Sequence, residues 1–484
     1  MVILSRMRRK ALPHMMRGSM ARLDIILNLL VDLTKRIQLR AGVAPDSSEL
    51  TQFLAPRDPA SPWDFAGGAR LDWFAADDYY MRLDAFADLL IEAEPGLAGG
   101  DTKSFREVFL RTLENHALDS TLFDPRMVRT ASVVGLFDAR ADKNVDAWRR
   151  RLWDTIRPEL VASIREWLVL YPLHPFTGKA FHLGHDGISI LDPDDATAWH
   201  DLALRYPGLQ AWSPRTGLRS HPDDMHFYGG APSRWLACEV GGTAAGATKN
   251  AANRMWTFIA LLLAHFHSIS KTVLLRLHAR TPYMCGQFST AATADAAIYT
   301  QREIGALLPH QLNQLNVDDT LIASLRAWYA ARDAADEEGR RRATIASHFV
   351  HYGINADRDV ERYIHFFVAL DALFGQRGRV EVGIRDGFAK LYPSNAAWSS
   401  RGAELYQLRN ELAHGGTSTI ETWDRLEAYD RKFRSEPLGD LSTAATDALV
   451  RYFAVRDLPA QRTVRVRVAE LLYDIARAFR RFVA

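Results

Sequence analysis

The chain has 484 residues, of which 48% are hydrophobic and 24% are charged. This length exceeds one ordinary hydrophobic core, so we expect about two or three domains, and the composition excludes a disordered or fibrous protein. The 60 basic and 58 acidic side chains give a net charge of +2, which excludes a protein that binds nucleic acid through a global basic excess. Any nucleic-acid site must be a local patch.

The cysteine content and the hydropathy of the chain indicate its environment. Cys238 and Cys285 are the two cysteines, too few for a disulfide or zinc framework. The most apolar run, 256–266, contains His265 and is much shorter than the roughly 20 residues that cross a bilayer. We therefore predict a cytoplasmic protein with no membrane partner.

The N-terminal residues resemble a signal peptide, because basic side chains precede an apolar segment. However, Asp24, Asn28 and Asp32 interrupt that segment, and no small-residue cleavage site follows it. We interpret residues 1–19 as a disordered leader rather than a secretion signal.

Residues 20–170 are predicted to form a mainly helical region, because their apolar residues recur at helical spacing between proline and glycine breaks. One of the helices contains Pro158, which should kink or divide it, and another has Asp101 as its N-terminal cap. The predicted helices are Ala21–Leu39, Tyr79–Glu94, Thr102–Asn115 and Val145–Val169.

The composition changes after Tyr171, where glycine and proline separate short apolar runs. Residues 171–310 are therefore predicted to form an α+β domain. The predicted strands are Ile188–Leu191, Trp235–Val240 and Val273–His278. The predicted helices are one that is capped within Asp192–Asp195 and ends at Arg205, and Ala251–Ile269. Gln287, Phe288 and Ser289 predict a loop before a helix around Ile304.

From Asp318 onward the chain has helical periodicity throughout, so residues 311–484 are predicted to form a helical bundle. The predicted helices are 318–332, 341–351, 357–374, 380–391, 400–414, 418–434, 441–455 and 464–483. The predicted fold class is therefore α+β and predominantly α-helical, with an α+β region before the C-terminal bundle.

The segment Leu405–Gly416 combines the end of an amphipathic helix with three polar side chains. Its leucines recur at three- and four-residue spacing, and Gly415 with Gly416 supplies a left-handed stop. Arg409, Asn410 and His414 lie on the turns that lead into this stop. Such residues suit metal-free cleavage of RNA, since a histidine transfers protons and a guanidinium stabilises phosphorane charge. An asparagine amide orients either group without adding charge.

The spacing of these residues constrains how they act together. Asn410 and His414 are four residues apart and share a helix face, whereas Arg409 and His414 diverge by about 140° on an ideal helix. A long arginine side chain or a two-fold dimer would bring them together. The alternative interpretation is a solvated helix end, where cations interact favourably with the helix dipole.

This motif resembles the Arg-x4-His motif of HEPN domains, which usually has a polar residue directly after the arginine. Two further blocks, Arg362–Gly375 and Ser324–Tyr329, resemble the Apea-like HEPN subfamily. The resemblance covers about 318–484 and extends more faintly to about 165–290. The three blocks occur in the order that the subfamily has.

The resemblance implies an HEPN-type helical RNase domain over 311–484 that forms a homodimer with a composite cleft. Arg409 and His414 would be the catalytic pair and Asn410 the accessory residue. Such enzymes need no metal or cofactor and commonly leave 2′,3′-cyclic phosphate ends on their RNA substrate, for which tRNA is one candidate. Many act in anti-phage defence, as toxins or in abortive infection, so residues 171–310 would sense a phage or cellular trigger. The alternative is a non-catalytic HEPN sensor or scaffold that dimerises and binds RNA or protein.

Two other groups of residues give weaker functional signals, and each can also be explained by a purely structural role. Gly241–Lys249 resembles a phosphate-binding loop, but it lacks the lysine directly after the last glycine, so a strand-to-helix turn is the better interpretation. A second cluster contains histidines and aspartates that could ligate a metal, although their spacing matches no recognised site. Its members are His182, His185, His200, His221, Asp223, Asp224 and His226.

Charged side chains elsewhere in the C-terminal domain also leave two interpretations. Glu361 and His365 either line the cleft or face water. Arginines on or beside the terminal helix could follow an RNA backbone, or they could belong to a solvated face. They are Arg462, Arg465, Arg467, Arg477, Arg480 and Arg481.

Overall fold

The described part of the chain divides into two compact units. Their described residues fall within Met1–Trp167 with Gly241–Asn250, and within Leu168–Val240 with Ala251–Ala484. The computed structural model describes residues 19–41, 50–52, 71–76, 78–117, 120–130, 133–173, 176–214, 217–218, 233–270, 288–293, 299–303, 315–395 and 397–458. The predicted class is confirmed, because the chain is predominantly α-helical with some β-structure. Predictions for residues 1–18, Val273–His278, Ile304 and 464–483 fall outside the described residues.

The first unit combines helices with a four-stranded sheet of order β2-β3-β1-β4, in which β1 is antiparallel to β3 and β4. Its core includes Leu30, Phe105, Trp148 and Ile156, all fully buried. The Trp148 indole also donates a 2.8 Å hydrogen bond to the Leu122 carbonyl. The elements are α1 (Ser19–Lys35), β1 (Ile37–Ala41), β2 (Leu50–Gln52), β3 (Leu71–Ala76), α2 (Tyr79–Ala93), α3 (Thr102–His116), α4 (Pro125–Thr130), β4 (Val133–Gly135) and α5 (Val145–Ala162).

Two predicted helices are wrong at their C-terminal ends, where strands replace them. The helix predicted to reach Leu39 ends at Lys35, and Ile37–Ala41 forms a strand in which Ile37 and Leu39 are buried on one face. The helix predicted to reach Val169 ends at Ala162, and Arg165–Leu173 forms strand β5. Residues 167–173 of that strand are buried on both faces. Their apolar residues therefore do not alternate with polar ones, and the alternation that indicates a strand is absent from the sequence.

The second unit begins with a six-stranded sheet of order β13-β12-β5-β11-β8-β7 and a parallel pair of β14 and β6. Ile188–Leu191 is a strand as predicted, whereas Phe288 and Ser289 belong to a strand and not to the predicted loop. After β5, the elements are β6 (Phe176–Gly178), β7 (Phe181–His182), β8 (Ile188–Leu191), α6 (Ala196–Arg205), β9 (Trp212–Ser213), β10 (Gly217–Leu218), β11 (Arg234–Gly242), α7 (Ala244–Ser270), β12 (Phe288–Thr293), β13 (Tyr299–Glu303) and β14 (Leu315–Val317).

The C-terminal part of this unit is a helical bundle, as predicted. Its central helix is α10, which packs against α9, α11, α12 and α14. One prediction is wrong here: 418–434 is helical only over Leu426–Phe433, because hydrogen bonds among Thr417, Thr419 and Thr422 hold a turn before it. The elements are α8 (Asp319–Ala334), α9 (Glu337–Asn355), α10 (Asp359–Phe374), α11 (Val380–Leu391), α12 (Ala397–His414), α13 (Leu426–Phe433) and α14 (Pro437–Val455).

The apolar helices of the described residues pack inside the protein. Helix α7, the longest of them, buries Met255 and Phe258 to Ala264. None of the helices in the ranges given above has both the length and the hydropathy that crossing a membrane requires.

Candidate functional site

Helix α12 carries the motif residues and ends where the sequence predicts. Leu405 and Leu408 are fully buried, while Leu412, on the last turn, is only half-buried. Gly415 follows the helix with a φ of 78°, the left-handed conformation that glycine favours. The Gly416 amide then donates a 2.8 Å hydrogen bond to the Glu411 carbonyl, the Schellman arrangement that terminates helices. The predicted glycine stop is confirmed.

One face of α12 forms the floor of an open cavity of about 630 Å³. Asn410 and His414 both line it, as their four-residue spacing predicts. Glu381 at the start of α11 and Arg425 just before α13 also line the cavity. His414 is exposed and Asn410 is half-buried, so the imidazole is accessible to a ligand of nucleotide size.

Arg409 does not line this cavity and lies instead on the side of α12 that faces α10. Its guanidinium carbon is 5.9 Å from the centre of the Phe367 ring, and its charge acts on Asp371, one turn further along α10. Burial raises the pKa of the Asp371 carboxyl, and the positive charges of Arg409 and Arg342 oppose this rise. The divergence of Arg409 from His414 agrees with the angle expected from their spacing.

Asn410 joins the two sides of the helix. Its side-chain oxygen accepts a 3.0 Å hydrogen bond from Arg409 Nη1, and the same residue lines the cavity with His414. With its oxygen bonded to the guanidinium, the amide still has its NH₂ group to donate to a ligand. The structure thus connects Arg409 to the cavity through Asn410.

Buried polar contacts fix α12 in the bundle. The Tyr363 hydroxyl on α10 donates a 2.8 Å hydrogen bond to the Leu405 carbonyl. Near the start of α12, Arg401 forms an ion pair with Asp440 of α14, with Nε and Oδ2 3.3 Å apart. The motif is therefore presented by a helix that is held at two points along its length.

The wall of the cavity contains a chain of polar contacts that sequence reasoning missed. Arg425 Nη1 contacts Glu404 at 3.2 Å and donates a 2.6 Å hydrogen bond to Gln407. Gln407 in turn donates to Glu411 at 3.1 Å. The signal in the sequence was that Glu404, Gln407, Glu411 and His414 follow one another at three- or four-residue intervals. Arg425 could not be assigned to this wall, because its segment was predicted as helix.

The described members of the other sequence clusters do not line this cavity. His182 hydrogen-bonds Ser189, and His185 hydrogen-bonds Asp333, each through Nδ1. Within the described ranges no group of three or more histidine, cysteine, aspartate or glutamate side chains is arranged to hold a metal ion. His221, Asp223, Asp224 and His226 of the proposed metal cluster lie outside those ranges, as do the arginines from 462 onward. Burial raises the pKa of the Cys238 thiol to about 12.

Gly241–Lys249 forms the predicted strand-to-helix turn, with β11 ending at Gly242 and α7 beginning at Ala244. The carboxylate of Asp101 accepts a hydrogen bond from the Thr243 hydroxyl at the start of the helix. A Cβ atom on Gly246 would lie 2.5 Å from the Gly99 carbonyl oxygen. The positive end of the helix therefore meets a carboxylate of the protein itself.

Glu361 and His365, which both lie in the first half of α10, do not line the cavity. Glu361 is exposed to solvent. The His365 ring lies 5.7 Å from the Tyr352 ring and 6.1 Å from the Phe349 ring of α9. These contacts assign His365 to the α9–α10 interface, on a different side of α10 from Phe367.

Comparisons of the chain with protein-family models, with curated proteins and with solved structures found no match.

Proposed function

We propose that the protein is a metal-independent endoribonuclease of the HEPN type, with its site on the C-terminal half of α12. The observation that carries this proposal is the hydrogen bond from Arg409 to Asn410, combined with the cavity that Asn410 shares with His414. It links a guanidinium, which can stabilise phosphorane charge, through an amide to an accessible imidazole, which can transfer a proton.

The chemistry assigns a role to each side chain. His414 removes the proton from the ribose 2′-hydroxyl, whose oxygen attacks the adjacent phosphorus. Arg409 stabilises the negative charge of the phosphorane. The P–O5′ bond breaks as the 5′-oxygen takes a proton from a second, protonated histidine, which the His414 of a second copy would supply, and the products are 2′,3′-cyclic phosphate and 5′-hydroxyl ends. Asn410 positions the guanidinium through the 3.0 Å hydrogen bond.

A second copy of the chain would supply what one copy lacks. One histidine cannot be the base and the acid of the same step, and Arg409 lies on a different side of α12 from the cavity. A two-fold homodimer that brings the α12 helices together would provide two histidines and two guanidiniums. Such a site would serve anti-phage defence or a toxin or abortive-infection system, with the α+β region responding to a phage or cellular trigger.

The test is cleavage of total RNA and tRNA by the purified protein in the presence of a chelator. We expect cleavage that leaves cyclic phosphate ends and is lost in His414→Ala and Arg409→Ala. Arg409→Lys should retain part of the activity, because it keeps the charge without the planar fork. The matched controls are His200→Ala and Arg431→Ala, which change exposed residues outside the cavity.

The same assay tests the homodimer. Wild-type and His414→Ala chains that have been unfolded together in equal amounts and refolded should cleave RNA at about a quarter of the wild-type rate, because a dimer with one histidine lacks either the base or the acid. A rate of about one half would show that each chain acts alone. Equal cleavage by wild type and by both single variants would reject the endoribonuclease.

A second candidate, a non-catalytic scaffold, is favoured by one observation. Three carboxylates, those of Glu381, Glu404 and Glu411, line the cavity, and such a lining attracts basic side chains of a partner protein. This candidate predicts a folded protein without nuclease activity whose partner dissociates at high salt concentration.

A further inference from the structure

We propose that the cavity beside His414 is a base-recognition pocket for guanine, with Glu411 as the residue that determines specificity. This inference rests on the proposed ribonuclease function and adds the nucleotide that the site selects. The cavity of about 630 Å³ is in the size range of small-molecule sites, about 300–1,000 Å³, and therefore accommodates a nucleobase.

The hydrogen bonds in the cavity wall run in one direction and end at Glu411. Arg425 donates to Gln407 at 2.6 Å, and Gln407 donates to Glu411 Oε1 at 3.1 Å. The same guanidinium contacts Glu404 at 3.2 Å, and Lys432 lies 3.5 Å from that carboxylate. The guanidinium of Arg425, the arginine that lines the cavity, is therefore engaged with the protein. Glu411 retains acceptor capacity, because a carboxylate has about four lone-pair sites.

The Glu411 carboxylate, which the hydrogen bond from Gln407 holds in one orientation, selects a ligand with two adjacent hydrogen-bond donors in one plane. Among the RNA bases, guanine presents such a pair on its Watson–Crick edge, the N1–H group and the 2-amino group. Adenine and cytosine place an acceptor beside their amino group, and uracil has a single N–H between two carbonyls. Recognition of unstacked bases through this edge is the usual mode for single-stranded RNA.

The position of Glu411 relates the pocket to the reacting phosphate. Glu411 precedes His414 by three residues on the same helix face, a rise of about 4.5 Å along the axis. Tyr406 also lines the cavity and offers an aromatic ring against which a base can stack. A guanine on Glu411 would therefore lie on the same helix face as the imidazole.

The carboxylates also explain how the site rejects other ligands. Glu381 and Glu411 repel a phosphate, whereas His414 and Asn410, which line the same cavity, can bind one. A nucleotide therefore enters with its base on Glu411 and its phosphate toward His414. The opposite orientation would bring like charges together.

The test compares a short RNA that contains one guanosine with the same RNA that contains inosine, which lacks the 2-amino group. We expect wild-type protein to cleave beside guanosine about tenfold or more faster than beside inosine, since a bidentate contact discriminates to that extent. Glu411→Gln should remove this ratio, because an amide cannot accept from both donors. Glu427→Gln, on a side chain that is 92% exposed, should leave the ratio unchanged.

Binding provides a second measurement that does not depend on cleavage. His414→Ala protein should bind the guanosine RNA more tightly than the inosine RNA, and the double variant His414→Ala, Glu411→Gln should not. Cleavage without preference for guanosine, or a preference that persists in Glu411→Gln, would overturn the guanine pocket and leave the ribonuclease intact. Absence of cleavage with guanosine-dependent binding would overturn the ribonuclease alone. Tighter, Glu411-dependent binding of an arginine-containing peptide than of the guanosine RNA would overturn the pocket in favour of a protein partner.

Discussion

Asp440 is the buried charge that joins the start of α12 to α13 and α14, and its removal should strongly destabilise the bundle. The residue is 8% exposed. Its Oδ2 accepts 2.7 Å hydrogen bonds from the Tyr429 and Ser435 hydroxyls and lies 3.3 Å from Arg401 Nε. Burial and the Asp440 charge raise the pKa of Tyr429, so the tyrosine remains the donor. The variant Asp440→Ala removes all three contacts at once.

The magnitude follows from the burial of the two charges. The side chains of Arg401 and Asp440 are 16% and 10% exposed, so solvent screens the pair little. Removing one member of such a pair costs about 3–5 kcal/mol, because the other charge stays buried without its partner. Tyr429→Phe removes one hydrogen bond to a charged acceptor and should cost about 1.5–3 kcal/mol. The two losses should not add, since both act on the same carboxylate.

Urea unfolding followed by far-ultraviolet circular dichroism measures these differences. Asp430→Ala is the matched control, because Asp430 is exposed on α13, and it should change the free energy of unfolding by less than about 0.5 kcal/mol. A loss below about 1 kcal/mol in Asp440→Ala would refute the reasoning, since the pair would then be accessible to water. The double variant Asp440→Ala, Arg401→Met should be more stable than Asp440→Ala, because no guanidinium remains unpaired.

Two further predictions concern pH and the end of α12. Burial lowers the pKa of His265 to about 4 from 6.5, so between these pH values the unfolded chain binds a proton that the folded chain does not. The free energy of unfolding should fall by about 3 kcal/mol as the pH falls from 6.5 to 4. In urea titrations the His265→Leu variant should lack this part of the pH dependence. If wild type and His265→Leu lost stability in parallel over this pH range, the prediction would be wrong. Gly415→Ala forces a left-handed φ of 78° on a side chain with open space around it and should lower stability in the same assay by about 1–2 kcal/mol. Gly439→Ala, also in open space but in the first turn of α14, should not lower it, and equal effects of the two variants would contradict the role of backbone strain.

The helices were predictable because their signals are local. Asp101, Asp195 and Asp318 each accept a hydrogen bond from a backbone amide three residues later, and each stands directly before a helix. Helix α11 begins and ends at the predicted residues, 380 and 391. In such segments the N-terminal capping residue, the helical spacing of the apolar residues and the residue that ends the helix all lie within one short stretch of sequence.

The strands were less predictable because their partners lie far away in the chain. Strand β1 pairs with β3 and β4, and the partners of Leu39 in them are Trp73 and Val134. The five residues of β1, Ile37–Ala41, begin two positions after the end of α1. In the sequence, their apolar residues are therefore interpreted as a continuation of the helical spacing of α1. A strand becomes stable only when the sheet provides its neighbours.

The candidate site divides in the same way between local and distant determinants. The positions of Asn410 and His414 on one face, and of Arg409 on another, follow from helix geometry alone. The cavity itself depends on Glu381 and Arg425, which α11 and the turn before α13 bring to α12. No pattern within the motif identifies these two residues, so their position at the cavity could be found only in three dimensions.

The five-residue spacing between Arg409 and His414 has a consequence for how the motif works. A four-residue spacing would put both side chains into one cavity of one chain, where the guanidinium would neutralise the neighbouring carboxylates. With five residues, Arg409 packs beside Phe367 and Asp371 on α10, and the cavity keeps its acidic lining. The guanidinium is then held by the Asn410 amide at the edge of the site. In the proposed homodimer this separation lets each chain contribute its charge to the phosphate while its pocket remains selective for the base.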